Sequence, residues 1–246
     1  MSREYLEYLS SAIPLEIKHL NYLYSLKMAG FEPKVIYDIG ACVLHWTKEA
    51  KKLWPDAKII LFDAFAPAEF MYAGYDYHIG VLSDTDGKEV KFYQNDTQPG
   101  GNSYYREIGN RRSAEYFPDD GYVMKTTAKL DTIVKQRGFP LPDFVKIDVQ
   151  GAELDVIAGG ASTFAKADQL IVELQHNHYN EGAKLVGESV PIIESYGWTC
   201  TAPLFCNNGN DGDYGFSRPN SVVSRRLQFN TQLKWMKRWS SLKPIV

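Results

Sequence analysis

The sequence predicts a doubly wound α/β fold, a largely parallel sheet with helices on both faces, preceded by a helical extension. Three observations carry this. Apolar runs of strand length at 34–37, 58–62, 144–147 and 169–174 alternate with longer segments of helical pattern. Three of these runs end on an acid, Asp38, Asp63 and Asp148. The stretch DFVKIDVQGAELDVIAGG at 143–160 places a glycine turn and an acid-led helix directly after its strand. That is how a parallel strand delivers a carboxylate into the crevice at its carboxyl end.

Residues 14–29 read as a helix opened by Pro14 and closed by Gly30, with Leu15, His19, Tyr22, Leu23 and Leu26 on one face. The first strand, 34–37, runs into Asp38-Ile39-Gly40. A helix follows over 43–54 and Pro55 stops it. The second strand is 58–62, and a third, over 76–82, ends on Val81-Leu82-Ser83. Residues 88–93 alternate polar and apolar, as an exposed strand does. Residues 95–121, rich in Gly, Asn and Asp, read as a long functional or mobile loop. A short helix over 130–137 precedes the core strand 144–147. The strand 169–174 ends near Glu173. A helix over 184–196, a strand over 198–205, a loop over 206–216 and a helix over 228–239 complete the chain. With no internal repeat or linker, residues 1–33 are expected to form a helical extension and 34–205 the main domain. Residues 206–246 are expected to be a loop and a basic C-terminal helix packed on that domain.

The 246 residues suit one large α/β domain, and the 44% hydrophobic fraction is ordinary for a globular protein. Net charge is −3, which argues against a general polyanion binder, so no nucleic-acid partner is expected. The charge is uneven. Residues 214–246 contain no Asp or Glu and seven basic residues, so the rest carries −10, the −3 total less this +7. In that stretch Phe229, Leu233 and Met236, and Trp235, Trp239 and Leu242, recur at helical spacing among Lys234, Lys237 and Arg238. The pattern fits a terminal helix packed on its own domain, or an amphipathic helix on an anionic membrane surface. Three cysteines, Cys42, Cys200 and Cys206, have no paired spacing and fit a reducing, cytoplasmic setting. The start lacks the apolar core of a secretory signal, and no run of ~18 apolar residues predicts a membrane span. The sequence leaves the oligomeric state open.

Strand ends in this architecture face one crevice, so Asp38, Asp63 and Asp148 are expected to converge on a ligand. The turn after Asp38 reads Gly40-Ala41-Cys42-Val43-Leu44, with one glycine where a dinucleotide fingerprint has three. Asp63, 25 residues after Asp38, stands where a carboxylate grips ribose hydroxyls. A ligand with ribose but no diphosphate, such as S-adenosylmethionine, fits best. Each acid also has a plainer role: Asp38 can cap the next helix, Asp63 can form a turn, and Asp148 can end a strand.

The segments VIYDIGA (35–41), HIGVLSDTDGKEVKFY (78–93), LDTIVKQRG (130–138), DFVKIDVQGAELDVIAGG (143–160) and LIVEL (170–174) together resemble the FkbM family of S-adenosylmethionine-dependent methyltransferases. The resemblance implies a Rossmann-like doubly wound sheet of the class I methyltransferase type. It also implies O-methylation, commonly of a sugar or natural-product hydroxyl. It implies that Asp38 and Gly40 shape the methionine end, that Asp63 with Ala64 holds the ribose, and that Val81 and Leu82 lie along the adenine. Asp148 would then sit by the amino group or the reacting methyl. Two departures stand out: Cys42 and Leu44 replace the family's Asn and second Gly, and Phe62-Asp63-Ala64 replaces F-E-P.

Methyl transfer to a hydroxyl needs alignment and a proton acceptor. The candidates are Asp148, Glu173 and His176. Asp148 with Glu173 could instead hold a divalent cation such as Mg through oxygen ligands. The loop at 99–105 could close over the site, with Tyr104 and Tyr105 stacked on a sugar ring. Asp211-Gly-Asp213 reads as a polar turn. The expected acceptor is a small molecule or glycan. A non-catalytic cofactor-binding or interaction module is the rival of another class.

Overall fold

The structure, a computed structural model, describes residues 2–12, 14–109, 111–219 and 221. Helices α1 (Arg3–Ala12) and α2 (Ile17–Met28) precede β1 (Val35–Ile39), α3 (His45–Leu53), β2 (Lys58–Asp63), β3 (Asp76–Ile79), β4 (Val81–Leu82) and β5 (Glu89–Tyr93). Then come α4 (Arg111–Tyr116), β6 (Tyr122–Ala128), α5 (Leu130–Arg137), β7 (Phe144–Ile147), α6 (Glu153–Gly159), β8 (Gln169–Gln175), α7 (Val186–Ser195), β9 (Thr199–Asn207) and β10 (Asp211–Ser217).

The expected α/β architecture is present. A seven-stranded sheet has the order β3-β2-β1-β7-β8-β10-β9. Neighbours from β3 to β8 are parallel, and β10 runs antiparallel to both β8 and β9. The chain winds outward from β1 to β3, then returns to β7 beside β1. The switch point, and the crevice it opens, therefore lies between the ends of β1 and β7.

Alternation along the strands sorts the apolar residues into two cores. Ile36, Ile59, Leu61, Phe144 and Ile171 face Leu23, Leu26, Trp46 and Trp54. Tyr37, Ile60, Phe62, Val145, Ile147, Leu170 and Val172 face Leu130, Val156, Ile157 and Ile193. The Phe144 ring anchors the first core, with the rings of Phe31, Trp46 and Trp54 edge-on at 5.5, 5.5 and 5.6 Å.

Four differences from the sequence pattern have physical causes. The expected third strand breaks at Gly80, whose N–H bonds the Asp63 carbonyl, so Val81–Leu82 leaves for a second sheet of order β4-β6-β5. Strand β6 reads YVMKTTA with mostly exposed positions, and so shows no apolar face to the sequence reader. The expected loop at 95–121 contains α4 and is pinned at Ser103, which pairs with Tyr93 and donates from Oγ to the Val149 carbonyl. The expected loop at 206–216 is largely β10, seated inside the sheet. Its glycines concealed it: a Cβ on Gly215 would lie 2.2 Å from the Tyr22 hydroxyl, so the missing side chain lets α2 pack on the sheet. The helix expected at 228–239, and with it most of the basic stretch, lies outside the described residues.

Gly40 joins β1 to the crevice. Its φ is +85°, and a Cβ there would stand 1.7 Å from the Asp148 carbonyl oxygen. Gly87 has a similar φ of +76° but open space around it. Gly87→Ala should cost about 1–2 kcal/mol of backbone strain alone. Gly40→Ala should exceed that by at least ~2 kcal/mol, because packed backbone must move. Urea unfolding of both variants measures the difference, and equal losses would contradict the close approach.

Candidate active site at the switch point

Register and alternation decide which charges meet. Asp38 pairs with Lys146 across β1 and β7, and Glu173 pairs with Asp213 across β8 and β10. All four side chains project to the face covered by α2 and α3. The Lys146 ammonium is buried, 2.9 Å from Asp148 Oδ2 and 4.0 Å from Asp38 Oδ1. Burial works against its charge, but Asp148 and Asp38 outweigh it and raise its pKa above the ordinary lysine range. Asp38 is wholly buried and accepts a hydrogen bond from Thr47 Oγ1 on α3, while its Oδ1 has no hydrogen-bond partner. Burial raises its carboxyl pKa against the pull of Lys146 and Thr47.

Asp148 lies just past β7, where its N–H bonds the Ile39 carbonyl. One amide group, Gln150 Nε2, donates to Asp148 Oδ1 at 2.9 Å and to Glu173 Oε2 at 2.6 Å, tying the two carboxyls together. Burial favours protonation of both, and their environments then part them. Lys146, Glu173 and Gln150 bring the Asp148 pKa below the usual range. Burial together with Asp148, Asp211 and Asp213 pushes Glu173 well above it. The pair therefore holds its proton on Glu173. Gln150 is kept at φ 55° and the next turn is braced by Glu153, whose Oε1 accepts the N–H groups of Val149 and Gly151, each at 3.0 Å. Burial pushes the Glu153 carboxyl up to about 7.

In the turn after β1, two residues other than glycine have positive φ. Cys42 and Leu44 adopt φ of 43° and 68°, the left-handed conformation that Asn and Gly tolerate more easily. Asp63 secures the turn from β2. Its Oδ2 accepts the Cys42 N–H and its Oδ1 the Phe65 N–H, both at 2.7 Å. Burial raises its carboxyl pKa, against those two N–H groups. Each oxygen retains a lone pair for a further donor.

Two adjoining cavities open here. The first is lined by Gly40, Asp63, Ala64, Val81, Leu82, Tyr104 and Asp148, among others. The second is lined by Glu16, His19, Trp46, Lys146, Asp148, Glu173, Asn208 and Asp213, among others. Gly40, Cys42, Pro99, Gly100 and Asp148 border both. In the second, the Trp46 indole N–H donates to His19 Nε2 at 2.8 Å, so that nitrogen carries no proton. His19 Nδ1, 3.0 Å from Asp213 Oδ2, is then the donor to that carboxylate.

Of the residues expected from sequence, Gly40, Asp63, Ala64, Val81, Leu82 and Asp148 line the first cavity, and Glu173 lines the second. Asp38 lines neither and sits behind the turn. His176 also lines neither. It follows Leu174 on the opposite face of β8 from Glu173, and its Nε2 meets the Tyr214 hydroxyl at 3.0 Å. Tyr104 and Tyr105 both donate their hydroxyls to Asp155 Oδ2, at 2.7 and 2.9 Å, and so fasten the 99–105 segment to α6. Asp213, expected in a polar turn, is a buried strand residue. Lys146, Gln150 and His19 were not expected at the site. For Lys146 and Gln150 the available signal was their place within KIDVQGAE; for His19 it was a histidine on an apolar helical face. Among the described residues no group of three or more His, Cys, Asp or Glu is arranged to hold a metal ion. Lys146 and Gln150 donate to the two oxygens of Asp148, and Gln150 to Oε2 of Glu173.

The sequence profile of the Methyltransferase FkbM domain matches residues 38–199. A 2-O-methyltransferase, NoeI, of Sinorhizobium fredii is 31% identical over 94 residues, covering 38% of this chain and 37% of that protein. A methyltransferase FkbM from Methylobacillus flagellatus superposes with a TM-score of 0.46 at 10% identity, over 87% of this chain and 58% of that one. Human N-acetylserotonin methyltransferase superposes with a TM-score of 0.45 at 10% identity, over 87% and 55%.

Lys146→Met would leave two buried carboxyls without their cation. It should destabilise the fold by about 3–5 kcal/mol near neutral pH. Without Lys146 the folded-state pKa of Asp38, already raised by burial, rises further, and that of Asp148 rises from its lowered position. The loss should therefore grow as pH rises through them and shrink toward about pH 5. Urea unfolding at the two pH values tests both parts.

Proposed function

The chain belongs to the FkbM methyltransferase family, and on that premise we propose that it is an S-adenosylmethionine-dependent O-methyltransferase acting on a sugar hydroxyl of a glycan or glycoconjugate. The observation that supports this best is the carboxyl pair Asp148–Glu173 at the boundary of two cavities. The sugar acceptor is suggested by the 2-O-methyltransferase NoeI, which matches over a minor part of each chain.

The first cavity fits the cofactor. Asp63 offers its free lone pairs to ribose hydroxyls, Ala64, Val81 and Leu82 give the apolar slot for adenine, and Gly40 opens the backbone toward the methionine end. Asp148, kept ionised by Lys146, suits a neighbouring positive charge. Bound there, S-adenosylmethionine supplies a methyl group already activated on a sulfonium. The protein's task is then alignment and proton removal. Glu173, with its pKa raised, is the stronger base of the pair once ionised, and it accepts the acceptor's hydroxyl proton. Asp148 stays charged, orients Lys146 and Gln150, and positions Glu173 through Gln150. Asp38 supports the site from behind through Lys146 and Thr47. The Lys146 ammonium beside Asp148 supplies positive charge at the pair, and the reading uses that rather than a divalent cation.

No helix among the described residues is long and apolar enough to cross a membrane. We place the protein in a reducing compartment such as the cytoplasm, which fits its three free cysteines.

Calorimetry with S-adenosylmethionine should show binding, and Asp148→Ala should abolish transfer of labelled methyl groups. Absence of cofactor binding, or full activity in that variant, would sink the reading. The pH dependence has a definite sign. Glu173 must be ionised to accept a proton, so kcat should rise with pH through a value above the ordinary glutamate range. Glu173→Gln should lower kcat by about 100-fold or more and flatten that limb. An unchanged pH profile in the variant would exclude Glu173 as the base.

A further inference from the structure

The second cavity has an outer wall that the family-matched segment does not supply. Leu15, Glu16 and His19 come from the α1–α2 side, and Asn208 and Asp213 from the β9–β10 hairpin. All five lie outside residues 38–199, whereas Glu173 lies within them. The cavity meets the cofactor cavity at Gly40 and Asp148, so two ligands filling them would come together beside the carboxyl pair.

Acceptors outnumber free donors on this wall. Glu16, Glu173 and Asp213 present carboxyl oxygens. Most groups that could donate are engaged: His19 Nδ1 with Asp213, Trp46 Nε1 with His19, Lys146 with Asp148, and His45 Nε2 with the Leu9 carbonyl at 2.9 Å, which leaves the Gln98 amide at the rim and the proton on Glu173. Asn208 Nδ2 lies 3.3 Å from Glu173 Oε1 and so sets that carboxyl's direction from the hairpin side. With Glu16 and Asp213 on its wall, the chamber favours a ligand that brings donors, as hydroxyl or ammonium groups do. A carboxylate or phosphate on the ligand would face acids of its own sign.

We propose that this chamber is the acceptor subsite, that it selects a polyol or amino-polyol over an anionic one, and that Glu16 and Asn208 determine this specificity. The proposal rests on the methyltransferase reading above, since it takes the reaction to occur at Asp148. It assigns acceptor choice to the two flanking segments and cofactor handling to the matched core.

Both residues are exposed at the chamber, so Glu16→Gln and Asn208→Ala leave the packing intact. The test uses the full chain saturated with S-adenosylhomocysteine and titrated with D-glucosamine, D-glucose and D-glucuronate, followed by calorimetry or ligand-observed NMR. Glucosamine and glucose should bind, and glucuronate should bind about tenfold more weakly or worse. Glu16→Gln should narrow that gap, and Asn208→Ala should weaken glucose, while both variants bind S-adenosylhomocysteine as the parent does. Glucuronate binding as tightly as glucose would overturn the proposal. So would the absence of binding by all three sugars to the loaded protein, or variants that bind them as the parent does. Failure of the parent to bind S-adenosylhomocysteine is a separate result, which would remove the methyltransferase reading and the proposal with it.

Discussion

The site depends on one buried ammonium. Lys146 stands in the middle of the sheet's central strand, where a lysine is costly unless paired. Asp148 and Asp38 on either side make its charge stable there. The same contact keeps Asp148 ionised and leaves the proton of the carboxyl pair on Glu173. It also links the ends of β1 and β7 at the switch point, so that the geometry of the candidate site and the sheet's central register share one set of interactions. The aromatic floor around Phe144 excludes water beneath it and strengthens each charge interaction above.

Around this centre the backbone holds conformations that its residues do not favour. Cys42, Leu44 and Gln150 all have positive φ without being glycine. Cys42 and Gln150 are each held by specific partners. Asp63 binds the Cys42 N–H, Tyr72 donates its hydroxyl to the Cys42 carbonyl at 2.8 Å, and Gln150 is tied to two carboxyls. Those partners offset the strain of left-handed backbone at residues other than glycine.

Much of this was legible in the chain. The runs ending on Asp38, Asp63 and Asp148 located the crevice, since three short apolar runs that each stop at an acid bring those acids to one edge of a parallel sheet. Phe144–Ile147 and Leu130–Arg137 have the bounds their patterns predict. What escaped were residues whose meaning depends on distant neighbours. Strand β10 reads as a loop because its glycines are shaped by α2 and β9. His176 reads as a base because it follows Glu173 in sequence, although strand alternation sends it to the other face. His19 reads as core until Asp213, 194 residues away, arrives beside it.

The sequence by itself determined the fold class, the family and the edge of the sheet where the two cavities open. These follow from local periodicity and from short segments whose residues act together. The tertiary structure alone decided which charges pair, which carboxyl keeps the proton, and which walls enclose the second cavity. Pairing and protonation depend on burial and on distances between residues far apart in the chain, and neither quantity exists until β7, β8 and β10 lie side by side beneath α2 and α3.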